Sequence, residues 1–236
     1  MKKIIIAVVL MSSLGFAGEY YSKLNPIKTY NVKSAVSGKV LLVNSDLESK
    51  NVDNSKLLSI DSQIDQEDLK QSKIKLQNLK DILTIQKGIL GSYQKVSSKS
   101  KFDKDNQKIT ILNISSNISD LETKIATLKD TLTKKTLYVK KEYIYDIAVE
   151  VGDYVTPGVL LYTSMDLSAG KLEIFVPIDT AKELRNKTIF LDGKKTDLKI
   201  SKLYAIADTT HISSYKCEII VPSPQTFSNL VKIEFR

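Results

Sequence analysis

Apolar residues at Ile111, Ile114, Ile118, Leu121, Ile125, Leu128 and Leu132 alternate spacings of three and four without a break. That pattern is the inner seam of a coiled coil, and only a helix can bring all seven to one face. The residues between are polar, among them Asn113, Ser115, Asn117, Lys124 and Asp130. Upstream, Leu69, Leu76, Leu83 and Leu90 recur every seven residues, with Leu79 and Tyr93 at offset positions. Ile82, Ile89 and Val96 are expected to widen that face. Asp65, Glu67 and Asp68 place acids in a first helical turn, where the macrodipole favours them. The polar stretch Ser97–Asp103 is short, so the two helices run antiparallel and bury their stripes against each other. The sequence therefore predicts a helical hairpin over 65–134. At about 33 residues per arm it stands roughly 50 Å tall. Gly88 and Gly91, near its far end, weaken the first helix by up to about 1 kcal/mol each relative to Ala.

Both flanks of this rod read as β. Before it come Val36–Val43 and Lys56–Asp61; after it comes Val149–Leu161, where Gly152-Asp153 and Pro157-Gly158 are turn signals a few residues apart. Short strands with such turns make a small sandwich, with Gly38 at the start of its first half. Near the C-terminus Tyr215, Cys217, Ile219 and Val221 alternate along a strand, which makes the single Cys a buried residue.

The chain opens as an export signal. Lys2 and Lys3 precede an apolar run from Ile4 to Leu14, and Gly15-Phe16-Ala17 offers small residues where a signal peptidase cuts. The run is too short to span a bilayer, so cleavage between Ala17 and Gly18 is expected in preference to an uncleaved anchor. The formal charge is +8, but the lysines are scattered between acids along helices. They read as a solvated face and argue against nucleic acid. Catalysis needs a nucleophile beside a base, or a metal with several ligands. With one His and one Cys in the chain, His211 in a loop beside Thr209, Thr210 and Ser213 supplies neither.

Ser34-Ala35-Val36-Ser37-Gly38-Lys39-Val40 and Val149–Leu161 resemble the two halves of a lipoyl-type barrel-sandwich. A split lipoyl domain with a helical hairpin between its halves is the arrangement of the periplasmic adaptor, or membrane fusion, proteins of the HlyD type. Leu172–Pro177, Thr210–Pro222 and Val231–Phe235 resemble the adaptor β-barrel. The fold class implied is α+β and multidomain: a split lipoyl-like sandwich over 18–64 and 135–170, the coiled-coil hairpin, and a small β-barrel over 171–236. The chain resembles a short form, ending at the barrel where longer adaptors carry a membrane-proximal domain.

The resemblance implies a non-enzymatic periplasmic protein, without cofactor or metal, peripheral to or anchored at the inner membrane. Its partners would be an inner-membrane transporter of RND or ABC type, driven by protons or ATP, and an outer-membrane channel. It would work as a homo-oligomer, a trimer or hexamer. Leu90, Ser97, Ser98, Lys99, Ser100 and Phe102 at the hairpin tip would meet the channel. Members often show Arg, Leu four residues on and Ser seven further; aligned on Ser97 this chain has Gln86 and Leu90, and aligned on Ser98 it has Lys87 and Gly91. Neither register supplies the Arg.

Two further departures concern turns. Asp46-Leu47-Glu48-Ser49-Lys50 replaces the family's Gly-Asp turn in the first half, and Asn229 stands where Gly is common and is expected to take its positive φ. Two rival readings are a structural coiled-coil protein of the envelope and a lipoyl-type carrier. The carrier fold presents a modified Lys on a hairpin turn, and here the rod stands in the place of that turn.

Overall fold

The computed structural model describes residues 18–236, so the expected signal segment 1–17, with Ala17, lies outside it. The chain runs β1 (Glu19–Lys23), β2 (Asn25–Lys33), β3 (Gly38–Val43), β4 (Asn51–Val52) and β5 (Ser55–Ile60). Two long helices follow, α1 (Gln63–Lys95) and α2 (Lys101–Lys134). Then come β6 (Thr136–Val139), β7 (Glu142–Ile147), β8 (Tyr154–Val155) and the long β9 (Leu160–Pro177). A short α3 (Ile178–Leu184), β10 (Ile189–Leu191), β11 (Lys194–Lys195), β12 (Ile200–Leu203), β13 (Ser214–Pro222) and β14 (Leu230–Phe235) complete it. Two compact units result, one of residues 30–164 and one joining 165–236 to 18–29.

In the first unit the two predicted halves share one core. Val40, Leu57, Leu58 and Ile60 from before the rod pack in the same cluster as Val139, Ile144, Val155 and Leu161 from after it. β5 pairs antiparallel with β6, so the strands on either side of the rod are direct neighbours. Each fully buried aliphatic side chain there contributes about 1.5–3 kcal/mol. The turn that lacks Gly-Asp is built from a 3-10 turn, Ser45–Leu47, followed by Ser49 at φ 60°.

The rod obeys its heptads. Ile118 and Ile125 are buried, and Ile111, Ile114, Leu121, Leu128 and Leu132 are partly covered. On α1 the covered set is Leu69, Ser72, Leu76, Leu79, Leu83, Gln86, Leu90 and Tyr93. The expected widening fails at Ile82 and Val96, which are 42% and 47% exposed, while Ile89 is half-buried. One facing helix can cover only the two-position seam of a heptad, and a third apolar position needs another partner.

In the second unit two sheets surround one core, in the orders β1–β14–β10–β11 and β12–β13–β9. Phe235, Ile233, Leu172 and Ile219 are fully buried in it. Cys217 is buried on β13 as expected, its thiol pushed up to about 11 by burial and by the neighbouring Glu218. The sequence had placed residues 18–29 and 165–170 with the sandwich. Instead β1 pairs with β14, Tyr20 opposite Ile233, and Leu24 joins the barrel core. The positive φ near the C-terminus falls on Ser228, at 67°, one residue before Asn229.

Candidate functional site

The two motifs that flank the rod in sequence hydrogen-bond to each other in space. Gly38 pairs with Val155 and Lys39 with Tyr154. The Ser34 amide donates to the Val159 carbonyl and the Gly158 amide to that of Ser34, each at 2.8 Å. The Val40 amide donates to the Asp153 carbonyl at 2.8 Å, and the Gly152 amide to that of Val40 at 2.9 Å. Asp153 also accepts the Glu150 amide on its carboxylate at 2.9 Å, closing its own turn. Gly152 and Gly158 take φ of 107° and 96°, and the exposed Pro157 leads into the second turn. Gly38 is required for closeness: a Cβ there would sit 2.5 Å from the Ile60 Cγ2. These turn residues fasten one half of the sandwich to the other.

The rod leaves this sandwich through a fixed base. The Lys135 ammonium, almost wholly buried, donates to the Asp65 carboxylate at 2.5 Å and to the Asp61 carbonyl at 2.6 Å. The Ile60 amide donates to the Lys135 carbonyl at 2.8 Å, joining the last residue of β5 to the residue after α2. Asp65 is thus more than a dipole-complementing acid: it neutralises a charge that burial would otherwise make costly.

At the other end only Val96–Ser100 connects the helices. α2 starts earlier than the sequence suggested because Ser100 caps it. The Asp103 amide donates to Ser100 Oγ at 3.1 Å, and the Ser100 amide to the Asp103 carboxylate at 3.3 Å. This capping box fixes the first turn of α2 and puts Phe102 in that turn rather than in the loop. Phe102 is 73% exposed, a large ring held in solvent at the extremity of the rod. Ser97 and Ser98 are exposed beside it, and the Lys99 ammonium sits 4.5 Å from the centre of the Tyr93 ring. Leu90 differs from the rest, because it is half-buried at a seam position. The structure therefore gathers Ser97, Ser98, Lys99, Ser100 and Phe102 at one end and sets Leu90 inside the coiled coil.

Two features escaped the sequence reading. The capping box was legible as Ser100-x-x-Asp103 before an apolar run. The other is Gln107, whose amide donates to the Gln86 side-chain oxygen at 2.7 Å and to its carbonyl at 3.0 Å. Gln86 falls in the seam register three after Leu83, so a polar residue there signalled a partner across the rod. The position that one alignment equates with the family Arg is thus occupied by a cross-rod amide pair.

His211 lies in the loop between β12 and β13, stacked on Phe175 at 3.5 Å between ring centres, its Nδ1 3.2 Å from Asp208. No group of three or more His, Cys, Asp or Glu among the described residues could hold a metal ion. No described helix is long and apolar enough to cross a membrane.

No family model and no curated protein matches the chain. Solved structures do. MacA from Actinobacillus actinomycetemcomitans superposes with a TM-score of 0.73 at 18% identity, over 93% of this chain and 78% of its own. A MacA chimera carrying the Pseudomonas aeruginosa MexA α-hairpin gives 0.72 at 14%, over 94% and 83%. The membrane fusion protein Spr0693 from Streptococcus pneumoniae R6 gives 0.71 at 10%, over 93% and 98%. Split sandwich, inserted hairpin and small barrel together are the fold of the membrane fusion, or adaptor, proteins, and this chain has it.

Proposed function

We propose that this protein is the periplasmic adaptor of a tripartite efflux or secretion system, linking an inner-membrane transporter of RND or ABC type to an outer-membrane channel. Its work is assembly and sealing, without chemistry of its own. The observation that carries the reading is the rod. Two arms of 33 and 34 residues rise from a pinned base and end in a capped tip that offers an exposed aromatic ring. A coiled coil that served only to hold the sandwich together would not need that length, roughly 50 Å.

The uncovered side of α1 supports a homo-oligomer, a trimer or hexamer. Ile82, Ile85 and Val96 are exposed at helical spacing towards the tip, and neighbouring copies standing side by side would cover them.

Ser98→Asp and Phe102→Asp test the reading, because neither side chain is packed. Each variant is expected to reduce recovery of an outer-membrane channel protein with this adaptor from cells by at least about tenfold. Circular dichroism and thermal melting should stay unchanged. Leu90→Asp differs in that it also costs core packing, about 2–5 kcal/mol if fully felt. Undiminished channel recovery with both tip variants would sink the proposal, as would a loss that occurs only when the rod unfolds.

A further inference from the structure

The C-terminal β unit carries an open recess whose lining changes character from one end to the other. At one end Arg185, Lys187, Lys195 and Lys199 surround a space of about 510 Å³, with Asp197 its one acid. A neighbouring space of about 310 Å³ shares Arg185 and Lys199 with it and adds Leu203. The far end, about 400 Å³, shares Arg185 and Leu203 and is lined by Ala181, Tyr204 and Tyr215, with Lys182 at its side. Arg185, just past the end of α3, lines all three, so they lie side by side as a stepped groove.

What sets this groove apart is that it gathers four cations in one place. Lys171, Lys202, Lys216, Lys232 and Arg236 of the same unit each have a carboxylate within ion-pair distance, while the scattered Lys23, Lys28, Lys182 and Lys194 have none among the described residues. Among the described residues, Arg185, Lys187, Lys195 and Lys199 have none. Four cations around one recess repel one another, and an anion with several oxygens relieves that repulsion while matching the Arg fork. A purely ionic ligand would leave the Leu203, Tyr204 and Tyr215 end in water. A ligand with a charged head and an apolar tail fills both.

We infer that this groove binds a single phosphate-bearing lipid, its headgroup at Arg185, Lys187, Lys195 and Lys199 and its acyl chain over Leu203, Tyr204 and Tyr215. The inference stands apart from the adaptor reading, since it rests on the barrel unit alone. The test is calorimetric titration of the purified protein with lysophosphatidylglycerol below its micelle concentration. Lysophosphatidylcholine of the same chain length and inorganic phosphate are run beside it.

The anionic lipid should bind at least about tenfold more tightly than either, and more weakly as salt is raised. Arg185→Gln combined with Lys199→Gln should cost at least about tenfold. Tyr204→Ser should weaken the lipid and leave phosphate unaffected. Lys73→Gln with Lys129→Gln on the rod, which removes the same charge elsewhere, should change nothing. Equal binding of the choline and glycerol lipids would overturn the inference. So would phosphate binding as tightly as the lipid, which marks a soluble-oxyanion site, or lipid binding unaffected by the groove variants. If the double groove variant does not fold, the three-ligand comparison on the unaltered protein still decides.

Discussion

Along the 67 residues of the two rod helices only Ser72, Ile118 and Ile125 are buried, whereas the C-terminal β unit encloses twelve apolar side chains, Phe235 and Ile233 among them. The β unit closes on itself, each strand finding neighbours in its sheet and a core beneath it. The rod is covered on one side only, and apolar residues such as Ile82, Ile85 and Leu112 are left exposed. The contrast separates a part that closes around its own core from a part that leaves apolar surface in water. It also predicts that damage of the same chemical kind will weigh differently in the two places.

Phe235→Ala should be the most damaging substitution, costing about 3–5 kcal/mol by removing a fully buried ring from a packed core. A melt of the purified protein should show the barrel transition fall steeply; a drop of under about 1 kcal/mol would mean the core is loosely packed. Ile118→Ala sharpens the comparison. Its site borders solvent, so the loss should fall near about 2 kcal/mol, the lower end for such truncations. Hydrogen exchange should quicken along the rod and leave the amides of β13 and β14 protected. Spread of the effect into the barrel would break the distinction between the two regions.

Smaller effects belong to the rod's far end. Ser100→Ala removes the capping box and should cost about 1 kcal/mol, read as fraying of the first turn of α2. Gly88→Ala and Gly91→Ala should act oppositely, each stabilising α1 by up to about 1 kcal/mol, because an added Cβ at either meets nothing within 4 Å. If the alanines destabilise, those glycines serve a bend or a contact instead.

Acid should act on the barrel gradually. Asp166 is held below the usual carboxylate range by Ser168, and Asp208 by the His211 amide. Glu234 is held down by Lys232 and Arg236. At Glu173 burial pushes upward, but hydrogen bonds from Lys171 and Lys216 outweigh it. All four lie in the C-terminal unit. Their folded-state values are below the unfolded ones, so their contribution is complete above about pH 5 and fades as pH falls through the unfolded and then the folded values. The barrel melting temperature should therefore decline as pH falls from about 5 to 3. A flat profile would show that these pairs add nothing net, as exposed ion pairs often do.

The rod was the most legible part of the sequence, because a heptad records in local spacing which face is covered. Ile118 and Ile125 could be read as core from their neighbours three and four residues away. Ile82 and Val96 could not be judged the same way, since spacing says which residues share a face and not how wide a partner will cover it. Strand β1 was missed for a different reason: Tyr20 meets Ile233 from the opposite end of the chain, and five residues of strand carry too short an alternation to announce such a pairing. The same holds for the lysine-rich groove. Lys187, Lys195 and Lys199 look like solvated surface in sequence, and only the turn of α3 and the β10–β11 hairpin bring them together with Arg185. At the tip, Ser97–Asp103 was legible as a connection, while the place of Phe102 in the first turn of α2 follows from one capping box.

The central claim is that the end of the rod, and not its shaft, meets the channel. It is tested most directly by placing a photo-crosslinking amino acid at Phe102 and, separately, at the exposed Lys73 nearer the base, then irradiating intact cells and identifying the products by mass spectrometry. The account predicts an outer-membrane channel protein joined to the chain at position 102 and absent at position 73. Equal capture of the channel at both positions, or none at 102 while the protein remains folded and exported, would contradict it.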